Sequence, residues 1–326
     1  MTTGTDTATG SDPLTAGVDL GATKIQAIVM QAGMVVGRAR AVTPQTGADD
    51  VAVAVTGSVH AALADAGSSV QALTAVGIGA PGRAVAGVVS HAPNLPGFRE
   101  PFALGRTVSE ALGGVSVAVD NDVAVATLGE LRHGAGRPFR SMLGVFVGTG
   151  VGGGLVIDGR PWHGRGAAAE VGHITVKPDG RRCGCGQRGH VEAYAGRVHM
   201  EARARRLAAH GQATVLFDLM AKRGRDRLTA GTIARAHRRG DAMAAGLVDD
   251  AVWALGVGLA SAQNLLDVEA IVIGGGLSER LGAAFTERIA AEIMPRLFVP
   301  QHPPAVLGAE LGDLSGAVGA VVLAGA

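Results

Sequence analysis

The chain has 326 residues, enough for two lobes; 47 % are apolar but only 3 % aromatic, so its cores must be built from Val, Ala, Leu and Ile. The 29 Lys and Arg balance 28 Asp and Glu, a net charge of +1, which leaves no basic field to hold nucleic acid by its phosphates. A membrane span and a secretory leader are not expected, since no uninterrupted apolar run reaches about 18–20 residues and no basic patch precedes an apolar stretch. Two cysteines one residue apart make no disulfide framework and suit a reducing, cytoplasmic setting.

Residues 1–13 are small and polar and are expected as a loose tail, with no room for a helix-turn-helix ahead of the first strand. Apolar patterning then predicts strands at 16–20, 24–31 and 34–42. The first two are joined by DLGATK, residues 19–24. Its glycine turn can present N–H groups to a phosphate or be an ordinary hairpin, and Asp19 offers the oxygen that magnesium prefers. Val51, Val55, Val59 and Leu63 have helical spacing, which predicts a helix over 47–66. A strand at 73–78 ends in GAPGR (79–83), and NLPG (94–97) follows another short strand; both are turn-type clusters. A helix over 101–112 leads to a buried strand at 115–119, then to Asp120, Asn121 and Asp122, and a helix toward Glu130. A carboxylate at the C-terminal end of a strand is where α/β enzymes place chemistry. Asp122 equally suits a helix N-cap, the reading these residues favour by themselves.

The strand at 142–147 is followed by GTGVGGG, residues 148–154. This contains G-x-G-x-x-G, which in a dinucleotide-binding fold opens a helix. Here LVIDG follows, with Asp158 and Gly159 as a hairpin signal, so strand, turn and strand argue against a nicotinamide site. Residues 170–192 read EVGHITVKPDGRRCGCGQRGHVE and hold both cysteines, Cys183 and Cys185, between His173 and His190. Thiolate and imidazole are preferred zinc ligands, and four close a tetrahedron. A bridge between Cys183 and Cys185 would be strained; the alternative to metal is two buried thiols in a glycine-rich loop. Helices are expected over 191–210, 213–223, 229–239 and 241–266, with Arg203, Arg205, Arg206, Arg223, Arg225, Arg238 and Arg239 as solvated faces. A strand at 270–273 runs into Gly274, Gly275 and Gly276, either a plain connection or a turn that lets a nucleotide approach the backbone. A helix at 279–294, a strand at 305–307 and a helix at 315–323 complete the chain.

The stretch 170–192 resembles the signature of the ROK family (repressors, open reading frames, sugar kinases), E-x-G-H followed by C-x-C-G-x-x-G-C-x-E. Glu170, Gly172, His173, Cys183, Cys185, Gly186, Gly189 and Glu192 fit, and His190 stands at the family's third cysteine. Residues 19–24 resemble the D-x-G-G-T-K phosphate turn of the actin-like kinases, with Ala22 for the second glycine. The motifs keep the family's order over nearly the whole chain after the tail.

The resemblance implies an α/β protein of the actin-like ATPase (ribonuclease H-like) fold, with two lobes around a central cleft. Residues 14–120 would form the small lobe, with 315–326 packing back on it, and 121–314 the large lobe carrying the zinc loop. It implies an ATP-dependent hexose kinase of the glucokinase type making hexose 6-phosphate. Kinases of other hexoses, polyphosphate as donor, and a non-catalytic sugar-responsive regulator are the alternatives. Asp122 would be the general base and, with Gly82, Arg83, Asn94, Asn121, Glu170, His173 and Glu192, would meet the sugar. Asp19, Gly21, Thr23 and Lys24, with Gly148, Thr149 and Gly150, would hold the phosphates, Asp19 reaching magnesium through water. Gly274, Gly275 and Gly276 would meet the adenosine. His173, Cys183, Cys185 and His190 would hold a structural zinc, and a homo-dimer or tetramer is expected.

Overall fold

A computed structural model describes residues 13–92 and 94–325. Of the expected tail, residues 1–12 lie outside them. The described residues divide into two compact units, one up to Asp122 together with those from Ala320 onward, the other Val123–Gly319.

The first unit is a five-stranded sheet flanked by helices. Its elements are β1 (Leu14–Leu20), β2 (Lys24–Gln31), β3 (Met34–Val42), α1 (Ala48–Asp65), β4 (Leu73–Ala80), a small hairpin of β5 (Arg83–Val85) and β6 (Val88–Ser90), α2 (Leu104–Ala111) and β7 (Ser116–Asn121). The sheet order is β3-β2-β1-β4-β7. β1, β2 and β3 are antiparallel neighbours, while β1, β4 and β7 run parallel. The β2–β3 turn at Ala32 and Gly33 has positive φ at both positions (50° and 76°), the backbone that matches the twist of a two-residue hairpin. Val51, Val55, Val59 and Leu63 of α1 are fully or almost fully buried and pack in one core with Val18, Ile25 and Ile78 of the sheet, so the helical periodicity reads correctly as a core face.

The second unit repeats that topology. It holds α3 (Asp122–His133, whose first residue belongs to the first unit), β8 (Met142–Val147), β9 (Val151–Ile157), β10 (Arg160–Pro161), α4 (Glu192–Ala195), α5 (Arg197–Ala209), α6 (Leu216–Ala221), α7 (Ala230–Arg238), α8 (Ala242–Leu266), β11 (Ala270–Gly274), α9 (Gly276–Leu281), α10 (Ala283–Ile293), β12 (Ala305–Gly308) and the start of α11 (Ser315–Ala324). The sheet order β10-β9-β8-β11-β12 matches the first sheet strand for strand, again with three antiparallel and three parallel members sharing the central strand. α8 is long and apolar enough to cross a membrane by length and composition, but 61 % of its apolar window is buried within the protein, and Val252, Leu255 and Leu259 join the core with Ile271 and Ile273.

Two expected helices are each divided. The helix over 191–210 breaks at Gly196, whose extended backbone (φ −66°, ψ 130°) separates α4 from α5. The helix at 279–294 starts earlier, at Gly276, and breaks at Gly282, where φ is +75°. At Gly282 the positive φ is one that glycine adopts at little steric cost, a signal that apolar periodicity alone does not carry.

Two buried features fix the last helix. The fully buried Glu130 of α3 accepts the N–H groups of Ala135 (3.0 Å), Glu310 (3.0 Å) and Leu311 (2.9 Å) and the Ser315 hydroxyl (2.8 Å). Four donors satisfy a charge that would be costly to bury unpaired. Beyond Ala320, α11 lies directly on Gly77 of β4, where a Cβ would stand 1.7 Å from the Ala320 carbonyl oxygen. Gly77→Ala is therefore expected to lose about 1–3 kcal/mol by overpacking, seen as a lower denaturant midpoint at unchanged slope. Gly57→Ala, inside α1 with nothing within 4 Å of the new methyl, is expected to gain about 0.5–1 kcal/mol in the same assay.

Candidate active site

In the first unit, the parallel strands bring the sequence motifs to one sheet edge. The register aligns Asp19 of β1 with Gly79 of β4, and Gly79 with Asp120 of β7, in a single row. Neighbouring strands are about 4.8 Å apart, so the turns leaving that row start close together. From β1 comes the turn at residues 21–23, closed by Gly21 N donating to Lys24 O at 2.9 Å. β4 leads to Gly82 and Arg83, and β7 to Asn121 and Asp122, the first residue of α3. Asn121 Nδ2 donates to the Gly82 carbonyl at 3.0 Å, so these two predicted sugar residues meet. Arg83 and Asn94 are exposed.

The Asn94 loop is pinned by what surrounds it. Leu95 and Phe98 are buried, and Phe98 meets Phe102 edge to face with centroids 5.3 Å apart. Asn94 then lines a cavity of about 390 Å³ with Gln45, Pro96, Arg99 and Glu100. Gln45 was not anticipated from the sequence. Its Nε2 donates to Ala22 O (3.0 Å) and Thr43 O (3.1 Å), and the Thr43 hydroxyl donates to Gly21 O (2.7 Å). The segment that follows β3 thus returns to brace the glycine turn, a long-range contact with no local signal.

In the second unit, the turn at Gly148, Thr149 and Gly150 joins β8 to β9, the same place in its sheet that the first turn holds in the other. It is closed by Gly148 N donating to Gly150 O at 2.9 Å. The neighbouring strand β11 ends in Gly274, and Gly275 (φ +86°) turns the chain into α9. A Cβ on Gly275 would lie 2.7 Å from the backbone of Val147, so only glycine brings these two turns side by side. Gly276 is exposed and faces Ala230 at the start of α7. Two adjacent glycine turns at the C-terminal ends of parallel strands are a place for a nucleotide.

The metal quartet comes together. His173 ends a short 3-10 turn, and the bridge between Thr175 and His190 aligns the two histidine-bearing segments. Cys183 and Cys185 lie in a tight hairpin closed by Cys183 N to Gln187 O at 2.8 Å. All four donor atoms lie within 4.8 Å of one another. His173 Nδ1 is 3.3 Å from His190 Nδ1 and 3.9 Å from Cys183 Sγ, and His190 Nδ1 is 3.4 Å from Cys185 Sγ. Tetrahedral zinc, with Zn–N about 2.05 Å and Zn–S about 2.3 Å, needs N···N of about 3.3 Å and N···S of about 3.6 Å. The donor set therefore fits zinc in type, number and spacing. The hairpin is anchored to α8 by the ion pair of Arg181 with Asp250, and Arg181 also lies over the Tyr194 ring at 4.7 Å.

Burial pushes the Cys183 thiol up to about 11, against a backbone hydrogen bond from Cys185 and with the negative charge of Glu192. Burial and then the charge of His173 lower His190, against Glu192, which favours its protonation. Outside the knot, His173 Nε2 stands 4.0 Å from the exposed Glu170 carboxylate. Glu192 is more enclosed: its Oε2 accepts Val151 N at 2.9 Å, while Oε1 has longer contacts to Cys183 Sγ (3.7 Å) and His199 Nε2 (3.8 Å). Burial opposes its ionisation, but the nearby His199, the bond from Val151 N and the charge of His173 outweigh it and hold the carboxyl below the usual range. His199, unmarked in the sequence reading, also accepts Gly184 N at 3.3 Å.

Comparison with known proteins gives one consistent result. The ROK family profile matches residues 15–326. A glucokinase of Streptomyces coelicolor is 36 % identical over 320 residues, covering 95 % of this chain and 97 % of that one. A glucokinase of Halalkalibacterium halodurans is 34 % identical over 317 residues, covering 94 % of each. Among solved structures, a ROK family glucokinase from Streptomyces griseus in complex with glucose and AMPPNP superposes with a TM-score of 0.80 at 35 % identity, covering 95 % of this chain and 99 % of that one.

The quartet's geometry leads to a measurable result. Zinc added to metal-free protein near pH 7.5 is expected to bind at one ion per chain and to release protons, because the thiols bind as thiolates and burial holds Cys183 protonated beforehand. Calorimetry in buffers of different ionisation enthalpy reads that release. Cys183→Ser should abolish stoichiometric binding, and His190→Cys should keep it.

Proposed function

The chain belongs to the ROK family, and from that premise we propose that it is an ATP-dependent glucokinase, transferring the γ-phosphoryl group of ATP to the 6-hydroxyl of glucose. The observation that carries this reading is the likeness, over nearly the whole length of both chains, to a glucokinase solved with glucose and an ATP analogue. The fold is the actin-like ATPase fold, with one glycine turn at the equivalent place of each sheet.

Each residue has a role in this reading. Asp122, at the start of α3, accepts the proton of the 6-hydroxyl as oxygen attacks phosphorus. Such base assistance is worth roughly 10²- to 10⁴-fold in rate. Asn121, Gly82, Arg83 and Asn94 bind and orient the sugar from the first unit. Glu170 offers an acceptor to a sugar hydroxyl, and His173 offers Nε2, the ring nitrogen outside the quartet. Glu192 contributes through Oε1, since Oε2 is committed to Val151. Residues 19–24 and 148–150 hold phosphates through backbone N–H groups, Thr23, Lys24 and Thr149 adding side-chain donors, and Gly274, Gly275 and Gly276 line the adenosine. Magnesium, reached through water from Asp19, would neutralise phosphate charge when bound. Zinc, surrounded by four protein donors, would have no open position and would serve to fix the loop carrying Glu170 and His173.

The test is ADP release coupled to a panel of hexoses. Glucose is expected to be turned over fastest; clear preference for another hexose would reassign the substrate, and no ADP release with any sugar would remove the kinase reading. Asp122→Asn is expected to lower kcat by about 10²- to 10⁴-fold while glucose affinity stays within a few-fold. Turnover near that of the parent protein would strip Asp122 of its role.

A further inference from the structure

The start of α5 grips the turn at residues 148–150. Arg197 N donates to Gly148 O at 3.1 Å, and Val198 N donates to Thr149 O at 3.2 Å. Two of the N–H groups that a helix start leaves without an internal partner are thus taken up by the turn. The Arg197 side chain makes two further bonds: Nη2 donates to Thr149 Oγ1 at 3.1 Å, and Nη1 donates to the carbonyl of Leu228 at 2.9 Å. Leu228 precedes Thr229, the N-cap of α7, whose first residue Ala230 faces Gly276. One guanidinium therefore spans the tip of the phosphate turn and the helix start beside the other glycine turn. It is half-buried, and among the described residues no carboxylate lies within 4.0 Å of it.

The chemistry of the Thr149 contact is directional. A hydroxyl has one proton and two lone pairs. An arginine can only donate, so its bond to Oγ1 occupies a lone pair and leaves the Thr149 proton to be given elsewhere. Thr149 is exposed at the turn tip, so that proton is available to an incoming acceptor. A guanidinium without an acidic partner also leaves positive charge at the turn, which suits an anion such as a phosphate.

We propose that Arg197 is a positioning residue of the nucleotide site: it fixes the Thr149 hydroxyl as a donor to the nucleotide's phosphates and ties the phosphate turn to the start of α7. This rests on the kinase reading above and adds to it a residue outside every glycine motif. Arg197 acts through Thr149, so the two side chains form one energetic unit.

The experiment measures dissociation constants of AMPPNP, adenosine and glucose for the parent protein, Arg197→Ala, Thr149→Val and the double variant. Arg197→Ala is expected to weaken AMPPNP about tenfold, the scale of one charge-assisted bond, with adenosine and glucose changed less than about twofold. Thr149→Val should weaken AMPPNP similarly, and the double variant should lose little more than either single one. Additive losses, equal weakening of adenosine, or unchanged AMPPNP binding in Arg197→Ala would each overturn the proposal. Parent protein that binds glucose but not AMPPNP would overturn the kinase reading and this inference with it. Should Arg197→Ala fail to fold, Thr149→Val and Arg197→Lys decide. The first must lose AMPPNP and not adenosine; the second, which keeps the charge but cannot span both partners, must lose affinity for AMPPNP. The opposite result in either overturns the proposal.

Discussion

Parallel pairing of three strands is the constraint on which both units depend. When β1, β4 and β7 run in one direction, their outgoing turns must leave from one edge, and the row of Asp19, Gly79 and Asp120 fixes how far apart those turns start. The same holds for β8, β11 and β12. Segments far apart in sequence become neighbours because each is the C-terminal end of a strand. The antiparallel β1–β2 and β8–β9 hairpins add one glycine turn to each edge. A change of register by one residue would reverse which side chains face the core and which face the site. The buried Val and Ile of the strands are therefore as necessary to the chemistry as the polar residues at their ends.

Close backbone approach is the second requirement, and glycine supplies it where a side chain cannot be accommodated. Gly275 lets β11 turn against the end of β8, and Gly77 lets α11 lie on β4. In both places the neighbour is backbone and cannot move aside as a flexible side chain would. Polar bracing then holds what the glycines bring together. Thr43 and Gln45 secure the first turn. Glu192, Arg197 and Val198 secure the second. Glu130 secures the entry to α11.

What could be read from the sequence follows from range. Hydrophobic periodicity located β2, β3 and β8 to the residue, and α1, α7 and α8 within a residue or two, because each element's burial is encoded in its own spacing. The strand–turn–strand reading of 142–159 correctly set aside a dinucleotide fingerprint, since β9 follows where a helix would have to begin. The proximity of His173, Cys183, Cys185 and His190 was legible because both cysteines of the chain fall in one short stretch with a histidine on either side. Gln45, Arg181, Arg197 and His199 were not legible. Each works through a bond to a residue distant in sequence or hidden by a helix break, and nothing in the local pattern distinguishes Arg197 from the other arginines of α5.

His190 shows how one substitution can be absorbed by its surroundings. Three thiolates and one imidazole around a divalent ion would carry a net negative charge; two of each are neutral. The knot lies against Glu192, whose Oε1 is 3.7 Å from Cys183 Sγ. Cys183 already resists ionisation through burial and that carboxylate. A third thiolate would raise the repulsion on every anion present, while an imidazole adds none. Glu192 is kept ionised by His199, Val151 and His173, so the neutral quartet and the anionic carboxylate are mutually compatible. The imidazole is longer than a thiolate, and the chain accommodates it by burying His190 edge to face against His173, with ring centroids 5.2 Å apart. Charge and packing thus favour the same residue, and the hairpin can hold a metal without weakening the carboxylate that links it to the start of β9.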